Sequence, residues 1–235
     1  SLKLIQSCKR ERTLALTFGG GPRSWTQTIL DELRNNSIKA TFFVNGHSDP
    51  DFCIYDYAEI ILQMYNDGHQ IAHHTWSHPH LGQVSPDEIK YQIDWLDVAF
   101  LKILGVTPRF IRLPFGEAMN YPELREDLIR RGFKFFALWD VDTNDYLGNV
   151  TNSEILFLNG INDTNPHIIL SNDTLKITAD ELVPFYIEQA KNLNYSFDTV
   201  AGCNGIHNKN YWYKFIRELQ QRDKTWVCTR DDIHG

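Results

Sequence analysis

His74 and His78 stand four residues apart in His74-Thr75-Trp76-Ser77-His78, just after a short apolar run. Two histidines at that interval on one helical turn can both reach a single Zn²⁺. Histidines at this spacing also occur in plain hydrogen-bonded polar turns, and spacing alone leaves both readings open. His73, His80 and Trp76 close by favour the ligand reading. A hydrolytic metal site also needs carboxylates and another acid–base group. The loops best placed to supply them read Gly19-Gly20-Gly21-Pro22 and Ser171-Asn172-Asp173. The triple glycine lacks the Gly-x-Gly-x-x-Gly spacing and any following Lys-Ser/Thr, so it reads as a tight turn and not as a phosphate cradle. Arg112 would orient a carboxylate, hold an anion or sit in a structural ion pair. Asp140, Asp142 and Asp145 are ligands or tuning groups on one reading and a solvated acidic loop on the other.

These residues need a frame, and the hydrophobic pattern supplies one. Strands are predicted at 13–18, 39–44, 70–73, 109–113, 135–139, 167–170 and 197–200. Helices are predicted around Ile29, Leu30 and Leu33, then over 56–67 up to Gly68, over 122–131 up to Gly132, over 178–192 and over 208–220. The best-marked helix opens with Ser85, Pro86 and Glu88 as N-cap, first helical residue and capping-box partner, and stops at Gly105. Thr178 and Glu181 are read as caps of the later helix. Seven strand–helix units in one domain imply an α/β fold with a parallel sheet closed as a barrel, and a doubly wound open sheet is the alternative. Loops after barrel strands converge on one face. Gly19–Pro22, His74–His78, Pro114-Phe115-Gly116, the three aspartates and Ser171-Asn172-Asp173 each follow a predicted strand.

The chain has 235 residues and a net charge of −7. That length gives one large domain over residues 1–235, with its core at about 13–205 and a helix and tail over 206–235. The negative charge argues against nucleic acid as a partner, since phosphate neutralisation needs a basic face. No apolar run approaches the ~18 residues of a transmembrane helix. Four cysteines allow three pairings, or four reduced thiols. Cys8–Cys228, joining the ends, with Cys53–Cys203 is the favoured pairing. Sequons at Asn35, Asn149, Asn162, Asn172 and Asn194 fit a secretory route. No leader is visible at Ser1, as a trimmed mature chain would lack one. The expectation is a protein secreted or held at the cell surface or cell wall.

At this point the motifs carry a resemblance, from about Thr13 to Gly205. The chain resembles the polysaccharide deacetylases of carbohydrate esterase family four, and their chitin deacetylase branch in particular. Ala15-Leu16-Thr17-Phe18-Gly19-Gly20-Gly21-Pro22 stands where the family has Thr-Phe-Asp-Asp-Gly-Pro. Lys39-Ala40-Thr41-Phe42-Phe43-Val44-Asn45-Gly46 and His74-Thr75-Trp76-Ser77-His78-Pro79 are close to its pattern. Arg112-Leu113-Pro114-Phe115-Gly116 resembles Arg-x-Pro-Tyr, and Asp142-Thr143-Asn144-Asp145-Tyr146 resembles Asp-x-x-Asp-Trp. Leu170-Ser171-Asn172 stands where the family has Leu-x-His.

The resemblance implies a distorted, TIM-like (β/α)7 barrel and removal of acetyl groups from N-acetylglucosamine units. In that family a metal held by an Asp and two His binds the acetyl oxygen and a water, an Asp base activates the water, and a His acid protonates the leaving amine. It would make His74 and His78 metal ligands, Arg112 the residue orienting the base, the Phe115 N–H the oxyanion donor and Asp145 the group tuning the acid. Trp76, Phe115 and Tyr146 would line the sugar groove, whereas Trp139 is expected in the core. Three positions depart from the pattern. Gly19 replaces the base Asp, Gly20 the metal Asp and Asn172 the acid His. The expectation is therefore an inactive or nearly inactive member that binds chitin or other N-acetylglucosamine glycans at a chitinous wall, with zinc or another divalent ion held weakly or not at all. The competing expectation is a working metal hydrolase that recruits Asp140, Asp142, Asp173 or Asp49.

Overall fold

Apolar strands alternate with amphipathic helices along the chain, and the strands gather into one curled parallel sheet. The computed structural model describes residues 1–229. The elements are β1 (Lys3–Ile5), β2 (Thr13–Gly19), α1 (Thr26–Asn35), β3 (Thr41–Val44), α2 (Ala58–Asn66) and β4 (Gln70–His73). Next come α3 (Pro86–Leu104), β5 (Val106–Pro108), β6 (Phe110–Ile111), α4 (Pro122–Arg131), β7 (Phe135–Ala137) and β8 (Val141–Asp142). The chain continues with α5 (Val150–Ile161), β9 (His167–Asn172), α6 (Val183–Asn192), β10 (Ser196–Phe197) and β11 (Tyr213–Phe215). The sheet order is β1-β7-β6-β4-β3-β2-β9-β8, with β10 also on β2. All of these pairings are parallel. Parallel neighbours cannot be joined by a hairpin, so helices return the chain and cover the sheet.

The sequence pattern explains the central elements. β2 is buried along its whole length, as a near-continuous apolar run between helical layers should be. α1 buries Ile29, Leu30 and Leu33 on one stripe. In α3 the Ser85 hydroxyl accepts from the Glu88 N–H, Pro86 opens the helix, and Gly105 ends it at φ 71°. This architecture is the distorted barrel that the motifs imply. Among the described residues the end strands β1 and β8 do not pair with each other, so the barrel is half open.

Several expectations need correction. β1, β8 and α5 were not foreseen, so the sheet already begins before residue 13. The predicted strand 109–113 shortens to β6. Thr178 does not cap a helix. It opens a short π-helix, Thr178–Leu182, that runs into α6, and its hydroxyl donates to Asp145 at 2.8 Å. The helix expected at 208–220 is instead a 3₁₀ turn, Lys209–Tyr211, followed by β11, which pairs antiparallel with β5. Tertiary pairing overrides local pattern there. The Tyr213 ring is buried, and its hydroxyl accepts from the Ile71 N–H at 2.9 Å. Beyond Thr229 the expected tail lies outside the described residues.

The disulfides are Cys8–Cys203 and Cys53–Cys228, not the favoured pairing. The segment after β1 lies on the turn after β10, where the Lys9 and Arg10 N–H groups both donate to the Cys203 carbonyl. The C-terminal segment instead crosses to the turn before α2, where Trp226 packs on Tyr55 and Arg222 donates to the Tyr55 carbonyl.

Candidate active site

The C-terminal ends of β2, β4, β6, β8 and β9 surround a pocket of about 570 Å³. Its lining includes Gly19, His74, His78, Arg112, Phe115, Trp139, Asp142, Tyr146 and Asn172. Register explains the convergence, since Gly19 is level with Asn172 across β2–β9 and with Phe43 across β2–β3. A larger groove of about 670 Å³ runs along β1, with Lys3, Lys9, His207 and Tyr211 in its lining.

The two histidines come together, though not on a helical turn. Residues 74–80 form a loop, with Thr75 at φ 73° and His78 at φ 61°. Behind it, buried His73 takes the Thr75 N–H on Nδ1, and Gln92 on α3 accepts the Ser77 N–H. The His74 and His78 rings meet edge to face at 4.7 Å. His74 Nδ1 donates to the Arg112 carbonyl at 2.7 Å, because that oxygen can only accept. Nε2 therefore keeps its lone pair facing the pocket. Burial holds both histidines below the ordinary range, so they are neutral near pH 7. The backbone at Thr75, His78 and Phe115 (φ 60°) is strained, and such strain gathers at functional sites.

Arg112 is fully buried. Its guanidinium donates to the Ala137 carbonyl at 3.0 Å, the Thr17 hydroxyl at 3.0 Å and the Leu138 carbonyl at 2.9 Å, and lies 3.9 Å over the Phe43 ring. Among the described residues it has no carboxylate in ion-pair contact. Burial brings its pKa down to about 9, opposed by Asp142 across the pocket. Thr17 was missed from the sequence. Its signal is that Thr17 and Gly19 share one face of β2.

Asn172 occupies the far wall. Its N–H and its Nδ2 each donate to Asp145 at 2.7 Å. Burial raises the Asp145 pKa, and the Asn172 bonds oppose the rise. The Asn172 Oδ1 is left turned toward Gly19. A Cβ on Gly19 would lie 3.7 Å from His74 Nε2 and 3.9 Å from that oxygen, so the space is open. Gly20 differs, with φ 91° and Thr174 Cγ2 at 3.1 Å from such a Cβ.

The aromatic expectations divide. Phe115 and Tyr146 line the pocket at 51% and 60% exposure. Phe115 stacks on His80 at 3.8 Å. Trp76 cannot stack on a sugar, because it is fully buried against Gly46, His47 and Trp95. Trp139, expected in the core, instead forms part of the pocket wall, 5.2 Å from the Arg112 guanidinium.

Of the spare carboxylates, only Asp142 lines the pocket. Asp140 is held by His167 and the Ile168 N–H, and Asp49 pairs with Arg23. Asp173 accepts from the Gly21 N–H and the Thr26 hydroxyl, and burial lifts its pKa to about 6. No cluster of three or more His, Cys, Asp or Glu residues suited to a metal ion occurs among the described residues. His74 and His78 have no third such side chain grouped with them among the described residues, so the donor set does not fit a three-ligand metal centre.

The sequence profile of the polysaccharide deacetylase family matches residues 6–135. A chitin deacetylase of Pestalotiopsis sp is 34% identical over 213 residues, 90% of this chain and 70% of that protein. A chitin deacetylase of Colletotrichum lindemuthianum is 30% identical over 217 residues, 89% of this chain and 86% of that protein. The solved structure of the chitin deacetylase from that fungal pathogen superposes with a TM-score of 0.82 at 30% identity, covering 93% of this chain and 98% of that one.

Proposed function

The chain belongs to the polysaccharide deacetylase family, and on that premise we propose that it binds N-acetylglucosamine polymers of the chitin class with little or no hydrolysis. One observation carries this reading. Gly19, Gly20 and Asn172 stand where the family chemistry needs a base, a metal carboxylate and an acid. Glycine offers no side chain to either task, and an asparagine amide does not transfer protons near neutral pH. Each acid–base group is worth roughly 10²–10⁴ in rate, and such groups act as a unit, so one loss already cripples the reaction. His74 and His78 alone would hold a divalent ion loosely.

The pocket keeps what binding needs. Phe115, Tyr146 and Trp139 offer ring faces, and Arg112 and Asn172 offer polar anchors. Two disulfides suit an oxidising compartment, and among the described residues no helix is long and apolar enough to cross a membrane. A place at a chitinous wall outside the cell agrees with both.

A second reading, an active metal-dependent deacetylase, rests on Asp142, the one spare carboxylate in the pocket. Metal content and acetate release measured on one preparation separate the two. Tight binding of acetylated chitooligosaccharides without acetate release supports the binder. Stoichiometric zinc that survives dialysis, with turnover abolished by Asp142→Asn, supports the enzyme.

A further inference from the structure

Five Asn-x-Ser/Thr sequons occur, and the fold sorts them by face. Helices return the chain against the strand direction, so helix ends lie at the strand starts, opposite the pocket. Asn35 is the last residue of α1, Asn162 follows α5, and Asn194 follows α6. All three are exposed, and each sequon includes one residue of left-handed backbone: Ser37 at φ 55°, Thr164 at 61° and Asn194 at 59°. The three turns also touch. Lys191 Nζ donates to Asn36 Oδ1 at 2.8 Å, beside Asn35, and the Tyr195 hydroxyl, beside Asn194, donates to the Ile161 carbonyl at 2.8 Å, beside Asn162.

The other two sequons lie on the pocket side. Asn149 is exposed at the start of α5, and its Oδ1 accepts the Asn152 N–H, so its nitrogen is not the capping atom. Asn172 ends β9 with Nδ2 committed to Asp145 and its own N–H on the same carboxylate.

We infer that Asn35, Asn162 and Asn194 carry N-linked glycans as one contiguous patch on the face opposite the pocket, that Asn149 carries one at the pocket rim, and that Asn172 stays bare. The donor class is a lipid-pyrophosphate-linked oligosaccharide of a eukaryotic secretory membrane. The Asn Nδ2 forms a bond to the anomeric carbon, and the anomeric C–O bond to pyrophosphate breaks. The lipid pyrophosphate leaves with the bonding pair, and the amide loses one proton. A glycan on Asn172 would remove one of the amide protons beside Asp145 and fill the pocket, so a chain modified there cannot close this fold. Sugar would then cover the opposite face, with Asn149 the one glycan beside the pocket mouth.

The test is secretion of the full chain from a eukaryotic host, followed by peptide N-glycosidase and peptide mass mapping. That enzyme converts only glycan-bearing Asn to Asp. Conversion at Asn35, Asn149, Asn162 and Asn194, with Asn172 unconverted, is the expected result. Ser37→Ala and Thr164→Ala should strip the glycans at Asn35 and Asn162 while leaving chitooligosaccharide affinity unchanged. A bare patch at Asn35, Asn162 and Asn194 would overturn the inference, as would a glycan on Asn172 in the secreted, folded protein. Glycan at Asn172 found only in chains retained by the cell agrees with it. The glycan map, unlike the affinity comparison, does not depend on whether the pocket binds chitin.

Discussion

Arg112 concentrates the residue-scale question, because a buried guanidinium meets carbonyls, one hydroxyl and open space where a carboxylate would complete it. Gly19 lines the same pocket, and a Cβ there meets nothing closer than 3.7 Å. Gly19→Asp is therefore expected to fold and to raise the denaturation midpoint by pairing with Arg112. Gly20→Asp is expected to cost about 1–3 kcal/mol, because φ 91° suits glycine and disfavours any residue with a Cβ. Denaturant titration of the two single variants checks both signs. Joined with Asn172→His, the pair should release acetate from acetylated chitooligosaccharides when zinc is supplied. The aromatic residues give a contrasting pair. Tyr146→Ala should weaken sugar binding by about 1 kcal/mol, roughly fivefold, with stability unchanged. Trp76→Ala should destabilise by about 3–5 kcal/mol, since the ring fills a sealed core site. Calorimetric binding and thermal melts distinguish them.

Among the elements, the edge of the sheet between β8 and β9 is held by a pH-dependent clasp. His167 donates to Asp140 and Asp163, each at 2.8 Å. Burial lowers its pKa, but the two aspartates together outweigh burial and raise it above the ordinary value. A raised folded-state pKa gives stability that is complete below the unfolded value of about 6.5 and fades as pH climbs through the folded value. The stability lost on His167→Gln should shrink as pH rises above about 6.5, measured as the difference in denaturation midpoint between the two proteins. Sequence legibility varied for physical reasons. α3 and α4 were readable to the residue because Ser85, Pro86, Pro122, Gly105 and Gly132 carry their own start and stop chemistry. α5 was not, because Val150-Thr151-Asn152-Ser153 are poor helix formers and Gly160 near its end reads as a breaker. Gly160 is there for packing, since a Cβ on it would come within 2.5 Å of Val141. The apolar residues of 208–220 suggest a helix, yet Phe215, Ile216 and Leu219 remain exposed while Tyr213 docks. In the site, ordered motifs gave His74, His78, Arg112, Asp145 and Asn172. Trp76 was misplaced, because adjacency in sequence to two pocket residues does not say which way a ring in a strained loop turns.

For the molecule as a whole, two long-range disulfides fix segments that the sheet alone would hold weakly. Cys8–Cys203 spans 195 residues and Cys53–Cys228 spans 175. Replacing Cys53 and Cys228 with Ala should cost about 2–4 kcal/mol and release the C-terminal segment to protease, with the pocket intact. On the proposed function, the half-open barrel, the strand-end pocket and its aromatic rim are a deacetylase frame without the groups that move protons. The most direct test is acetate release from acetylated chitooligosaccharides by the zinc-supplemented protein, with binding measured on the same sample. The account predicts saturable binding and acetate at the uncatalysed level. Sustained turnover with one tightly held zinc per chain would contradict it.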